Sequence, residues 1–165
     1  MTEILCYEDS YMREFEATVT DVIESGIVLD RTSFYPGGGG QPCDTGVIEW
    51  DGESSQITQV SRIEGKLVHK VDGPIPDLGN SIKGRLDWIK RYQLMRTHTA
   101  LHILCGVVWR DFGAQVTGGN MTPLHARMDF ELKEMSSRFA SDIEILINKE
   151  VAAERNIEVS NLPRE

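Results

Sequence analysis

The hydrophobic pattern changes character near residue 85, and that change divides the chain in two. Up to that point the sequence is a series of short segments: EFEATVTDVI, GIVLD, GVIEW, SSQITQV, GKLVHKV and SIKGRLD, rich in Val, Ile, Thr and aromatics. They are punctuated by SG, GG, DG, EG and DGP, the turn chemistry that joins strands. Short strands at near-regular spacing predict a small barrel or sandwich. From Asp87 to Phe112 the stretch DWIKRYQLMRTHTALHILCGVVWRDF holds no proline and one glycine. Trp88, Leu94, Met95, Leu101, Leu104, Val108 and Phe112 recur at spacings that build an apolar helix stripe, and Gly113 is a natural stop. AQVTGG and LHARMDFEL then read as strands, the second alternating through His125, Arg127 and Asp129. Ser136 to Asn156 reads as a second helix with Ile143, Leu146, Ile147 and Val151 on its inner face, and IEVSNL as a closing strand. The expectation is an α+β chain, with a β-barrel domain over residues 1–85 and an α+β domain over residues 86–165.

The bulk numbers narrow the function classes. A net charge of −9 argues against a protein that coats nucleic acid with its whole surface. A local basic patch is compatible with it: Lys83, Arg85, Lys90, Arg91 and Arg96 fall within fourteen residues. Such clusters are more often solvated faces than binding sites. Three widely spaced cysteines, Cys6, Cys43 and Cys105, do not make a disulfide framework and fit a reducing cytoplasm. The N-terminus carries early acids and no long apolar run, so it does not read as a secretory signal. No apolar run approaches the roughly 18 residues of a membrane span, and no membrane partner is expected.

Two motifs carry the chemistry. FYPGGGGQPCDTG, residues 34–46, places four glycines in succession at Gly37, Gly38, Gly39 and Gly40. Ordering such a run costs considerable backbone entropy, so a fold keeps it where the chain turns at positive φ or approaches something closely. Glycine alone fits a flexible surface loop. The flanking Tyr35, Pro36, Gln41 and Pro42 point instead to an ordered loop lying against the second domain. The run lacks the Lys-Ser/Thr of a phosphate-binding P-loop, so a nucleotide site is not expected.

The second motif is RTHTALHIL, residues 96–104, with His98 and His102 four residues apart. On a helix the pair shares one face and suits two zinc nitrogens, and equally two partly buried core histidines. Thr99 stands where a zincin protease carries its glutamate, so that chemistry is not supported. Zinc needs three or four protein ligands. Cys105 lies about 10 Å along the axis from His98, while Cys43 and His125 lack ligand spacing, so the pair is half a site.

Taken together, SFYPGGGGQPCDTG, the basic helix start, RTHTALHIL, VTGG and ARMDFEL resemble the alanyl-tRNA editing family of AlaX type, free-standing relatives of the alanyl-tRNA synthetase editing domain. The resemblance covers essentially the whole chain in order. It implies a glycine-rich β-barrel followed by an α+β editing domain, related to that of threonyl-tRNA synthetase and here incomplete at its C-terminus. The implied reaction is hydrolysis of the ester joining serine, or glycine, to the acceptor end of tRNA(Ala). The implied cofactor is Zn2+, with His98 and His102 as its first two ligands. Thr117 matches the hydroxyl contact that selects serine, and Gly37 to Gln41 match the motif facing the editing cleft. Arg127 and Asp129 match an R-x-D-F signature with no assigned chemical role. Lys90, Arg91 and Arg96 are the residues suited to tRNA phosphates. The family's downstream Cys-x-x-x-His is absent, so the chain is expected to be an AlaX-type protein cut short, with self-association covering the exposed edge or core face. No general base is assigned. The alternatives are a tRNA-binding module without hydrolysis and a fragment of a full synthetase. The start at Met1, next to a strand, speaks against the latter.

Overall fold

The computed structural model describes residues 1–132 and 136–158. The N-terminal segments fold into a closed, antiparallel, six-stranded barrel in the order β2-β3-β7-β6-β5-β8, with β2 at Glu14–Ile23, β3 at Gly26–Leu29, β5 at Gly46–Trp50, β6 at Glu53–Ile63, β7 at Lys66–Asp72 and β8 at Ser81–Leu86. Two further short strands, β1 at Glu3–Ile4 and β4 at Arg31–Thr32, pair in parallel beside it. The barrel follows from alternation. Along β2, Phe15, Ala17 and Val19 point inward between exposed neighbours, and Ile82, Gly84 and Leu86 do so on β8. Phe15, Ala17, Val19, Ile82 and Leu86 join Ile27, Leu29, Phe34, Ile48, Ile57, Val60 and Leu67 in one apolar core. Closure also leaves none of the six strands with an open edge.

Turn chemistry sets the register. Asp51-Gly52 joins β5 to β6 with φ of 44° and 85°, and Glu64-Gly65 joins β6 to β7 with 48° and 80°. Both are two-residue hairpin loops with positive φ at each central position, the twist that matches the flanking strands.

Helix α1 runs from Trp88 to Phe112. The Asp87 carboxylate accepts the Lys90 N–H at 3.1 Å, satisfying an otherwise orphaned donor at the helix start. Gly113, at φ 66°, gives its N–H to the Trp109 carbonyl and ends the helix. Leu94, Val107 and Val108 are buried along it, together with two polar residues, Arg91 and Thr97. Strands β9 (Val116–Thr122) and β10 (His125–Phe130) pair as a two-stranded sheet. Helix α2 spans Ser137–Ala152, and the Ser136 hydroxyl caps it by accepting the Phe139 N–H. Ile143, Leu146 and Ile147 are half-buried on α2, but Val151, expected on the same face, is exposed. Of the strand expected over IEVSNL, Ile157 and Glu158 belong to no regular element and the remainder lies outside the described residues.

By compactness the chain divides into two units. One holds Met1–His98 and Asn120–Arg127, the other Thr99–Gly119 and the described residues from Met128 onward. The compositional boundary near residue 85 marks the end of the barrel strands, whereas the compact units divide later, within α1. No described helix is long and apolar enough to cross a membrane.

Candidate functional site

In the first unit the glycine run is an ordered structure. All four residues have positive φ: 80° at Gly37, 131° at Gly38, 60° at Gly39 and 83° at Gly40. Only glycine reaches such a succession without strain. Gly38 and Gln41 exchange both backbone hydrogen bonds at 3.0 Å, closing a tight turn around Gly39 and Gly40. The Gly40 carbonyl accepts the Met121 N–H of β9, also at 3.0 Å. A Cβ on Gly37 would sit 3.1 Å from the Cys43 nitrogen, while one on Gly39 would meet nothing within 4 Å. The loop is therefore tight at its base and open at its tip, where Gly38, Gly39 and Gly40 are exposed. Tyr35 flanks it, its hydroxyl 3.9 Å from a Cβ position on Gly38, and burial raises that phenol above its ordinary value.

Asp44 closes the base of the loop. Its N–H donates to the Tyr35 carbonyl at 3.0 Å and its carboxylate accepts the Tyr35 N–H at 2.7 Å. The same carboxylate receives Arg91 of α1 through Nε, at 2.9 and 3.1 Å to its two oxygens, and through Nη2. Arg91 also donates from Nη1 to the Ser10 carbonyl at 2.9 Å and from Nη2 to the Ser33 carbonyl at 2.6 Å. With its side chain 4 % exposed, Arg91 is a buried structural cation and is not available to tRNA phosphates, contrary to the sequence expectation. The physical reason is Asp44, which compensates the charge from 47 residues away. Two other members of the basic cluster are paired on the barrel surface, Lys83 with Glu14 at 2.7 Å and Arg85 with Glu49 at 3.2 Å. Lys90 is half-buried, with Nζ 3.4 Å from the Thr45 hydroxyl, and Arg96 is exposed.

His98 and His102 are both exposed, so neither is a core histidine. His98 ends the first unit's part of α1, and His102 lies in the second unit. There His102 lines an open cleft of about 420 Å3 with Ile103, Val107, Glu150, Val151 and Ile157. Thr117 is an exposed residue of β9 in that unit. Across the same sheet the Asp129 carboxylate lies 3.3 Å from where a Cβ on Gly118 would stand. Arg127 is exposed on β10 in the first unit.

The candidates for completing a metal site are not brought together. The Cys43 thiol accepts the Val60 N–H at 3.5 Å and packs against the barrel core. Among the described residues no group of three or more His, Cys, Asp and Glu side chains could hold a metal ion. Two imidazoles supply half of a tetrahedral zinc set, so the described residues do not fit a complete zinc centre. Sequence reasoning missed Asp44, Thr97 and Met121, which hold the loop and the β9–β10 tip. The one local cue was an acid inside the motif, four residues beyond the last glycine of the run.

A closed barrel that carries a backbone-pinned glycine loop, joined to a helix with the HxxxH pair, belongs to the aminoacyl-tRNA synthetase-related class. The family described as tRNA synthetases class II (A) matches residues 3–90. The chain is 39 % identical to the alanyl-tRNA editing protein AlaX-M of Saccharolobus solfataricus, over 100 % of this chain and 70 % of that protein. A second AlaX-M, from Methanosarcina barkeri, is 40 % identical over 92 % of this chain and 65 % of its own length. The alanine–tRNA ligase of Pyrococcus furiosus is 41 % identical over 99 % of this chain, which spans 18 % of that ligase. The chain belongs to the alanyl-tRNA editing family of AlaX-M type.

Proposed function

We propose that this chain is a trans-editing hydrolase that deacylates Ser-tRNA(Ala), and also Gly-tRNA(Ala), at the acceptor end. The observation that carries the reading is the glycine loop, ordered at positive φ and bonded through Gly40 to Met121, within a chain similar along its length to an AlaX-M editing protein. Ester hydrolysis needs a positioned water, donors for the developing oxyanion and a pocket that tells side chains apart. An exposed loop edge without side chains lets backbone approach the ester closely. Serine and alanine differ by one hydroxyl, which size exclusion discriminates poorly. A hydrogen-bonding group does better, because the wrong substrate leaves it unpaired. Thr117 supplies such a hydroxyl from β9.

Lys90 and Arg96 are the residues of the basic stretch suited to phosphates of the acceptor end. Zinc, when bound, supplies a Lewis acid. His98 and His102 are the two donors this chain would offer it. A binding module without hydrolysis draws less support, because three of the five basic residues are already paired to acids of the barrel domain.

The test is single-turnover deacylation of Ser-tRNA(Ala), Gly-tRNA(Ala) and Ala-tRNA(Ala), with and without added zinc. Hydrolysis of the first two, with Ala-tRNA(Ala) spared, is the expected result. Tight tRNA binding with none of the three esters cleaved would replace it by the binding-module reading. Zinc titration of the wild type against the double variant His98→Ala/His102→Ala reads the two donors directly.

A further inference from the structure

We propose that the buried Asp44–Arg91 pair is a positioning device for the glycine loop, setting the loop's geometry for deacylation without touching substrate. The inference rests on the editing function proposed above. Both side chains are almost wholly buried, at 1 % and 4 % exposure. The pair sits where the loop begins and ends. Tyr35 and Asp44 are joined by two hydrogen bonds, one backbone to backbone and one from the Tyr35 N–H to the Asp44 carboxylate. Arg91 holds that carboxylate while fastening the Ser10 and Ser33 carbonyls, so one guanidinium ties α1 to both sides of the loop's base. Among the described residues the loop is held further by the bond from the Met121 N–H to the Gly40 carbonyl and by the Cys43 thiol, which accepts the Val60 N–H at 3.5 Å. Between these anchors the exposed turn at Gly38–Gly40 is closed by the Gly38–Gln41 pair.

A role in stability alone would not require this arrangement. Buried ion pairs are often matched or bettered by apolar side chains of similar volume, and their best-attested use is to fix one geometry. The planar fork of arginine does so with several donors at once; lysine, a point charge, cannot. The positions held here are those from which a bare backbone edge would meet the ester. A displacement of about 1 Å at such an edge costs on the order of a hundredfold in rate.

The experiment uses the full chain and the variants Arg91→Lys and Asp44→Asn, with Lys66→Gln, an exposed β7 residue paired with Asp21, as control. Amide hydrogen exchange across residues 35–44, the thermal midpoint, and kcat and KM on Ser-tRNA(Ala) are measured together. Arg91→Lys is expected to raise loop exchange by about tenfold while the barrel strands exchange as before. Its kcat should fall roughly 10- to 100-fold with KM little changed. Exchange that stays unchanged in the loop, or rises uniformly through the barrel, overturns the positioning role. So does loosening of the loop with kcat intact. The double variant Asp44→Asn/Arg91→Gln leaves no buried charge unpaired and answers the question if a single variant does not fold. A wild type that cleaves no ester refutes the editing function itself, and loop-selective exchange then still decides whether the pair positions the loop.

Discussion

The hydroxyl of Thr97 accepts the N–H of Leu124 at 3.0 Å while donating its own proton to the Gln93 carbonyl at 2.8 Å. One buried oxygen thus joins α1 to the tip of the β9–β10 hairpin, where Leu124 holds φ at 59°. Thr97 immediately precedes His98, so the contact also fixes the backbone beside that imidazole. Replacing Thr97 by Val keeps the shape and removes the acceptor, leaving the Leu124 N–H without its partner. Leu124 is exposed and water can meet its N–H, so the expected loss is about 0.5–1.5 kcal/mol by denaturant titration. Hydrogen exchange should increase at residues 120–127 before it does so in the barrel. Thr97→Ser, which keeps the oxygen, should recover most of the loss.

His69 makes a second prediction, this time in pH. Its ring is fully buried, with Nδ1 3.4 Å from the Ile27 carbonyl and Nε2 3.0 Å from the Thr32 hydroxyl. A carbonyl only accepts, so Nδ1 carries the proton and Nε2 accepts from Thr32. The Thr32 oxygen in turn accepts the Phe34 N–H at 3.1 Å. Burial lowers the imidazole from 6.5 to about 4. Between those values the unfolded chain binds more protons than the folded one, so stability increases with pH. The contribution is complete above about pH 6.5 and is lost as pH falls to about 4, amounting to about 3 kcal/mol. His69→Gln should flatten the stability profile across that window. A variant profile parallel to the wild type would show that another group governs it.

Much of this architecture is legible in the sequence where local rules decide. Asp51-Gly52 announces its hairpin because few other pairs accept positive φ at both central positions, and in Glu64-Gly65 the glycine alone gives the cue. Asp87, Gly113 and Ser136 mark helix ends through backbone donors and acceptors that need partners within one turn. What was hidden depends on distant residues. Arg91 reads as one of a run of surface cations, because its carboxylate lies 47 residues earlier in the chain. Val151 continues the α2 stripe by spacing, yet burial requires an opposing surface, and spacing carries no information about one. The site was legible in the same uneven way. The flanks of the glycine run signalled an ordered loop, whereas the Met121 and Thr97 contacts that hold its surroundings are made by groups without a distinctive sequence pattern.

The glycine run itself is not uniform, and alanine should reveal the difference. At Gly39 a methyl meets open space, so Gly39→Ala pays only for a left-handed backbone conformation, about 1–2 kcal/mol. At Gly37 the methyl also presses on the Cys43 nitrogen and the Gln41 carbonyl, 3.1 and 3.2 Å away. Gly37→Ala should therefore lower stability more than Gly39→Ala and loosen the bonds between Gly38 and Gln41. Thermal melts rank the two, and equal losses would mean that the base of the loop yields as easily as its tip.

Thr117 gives the prediction closest to substrate choice. If its hydroxyl pairs with the serine hydroxyl of the mischarged ester, Thr117→Val removes that pairing at nearly constant shape. A neutral hydrogen bond is worth about 0.5–1.5 kcal/mol net, so kcat/KM on Ser-tRNA(Ala) should fall roughly 2- to 10-fold. Gly-tRNA(Ala) has no hydroxyl to lose, and its hydrolysis should hold steady. The ratio of the two rates within one preparation cancels differences in folded fraction. Thr117 is exposed on a two-stranded sheet, so the substitution is expected to change the thermal midpoint little. A parallel fall on both substrates would place Thr117 in the general architecture of the site, and the serine contact would have to come from another residue.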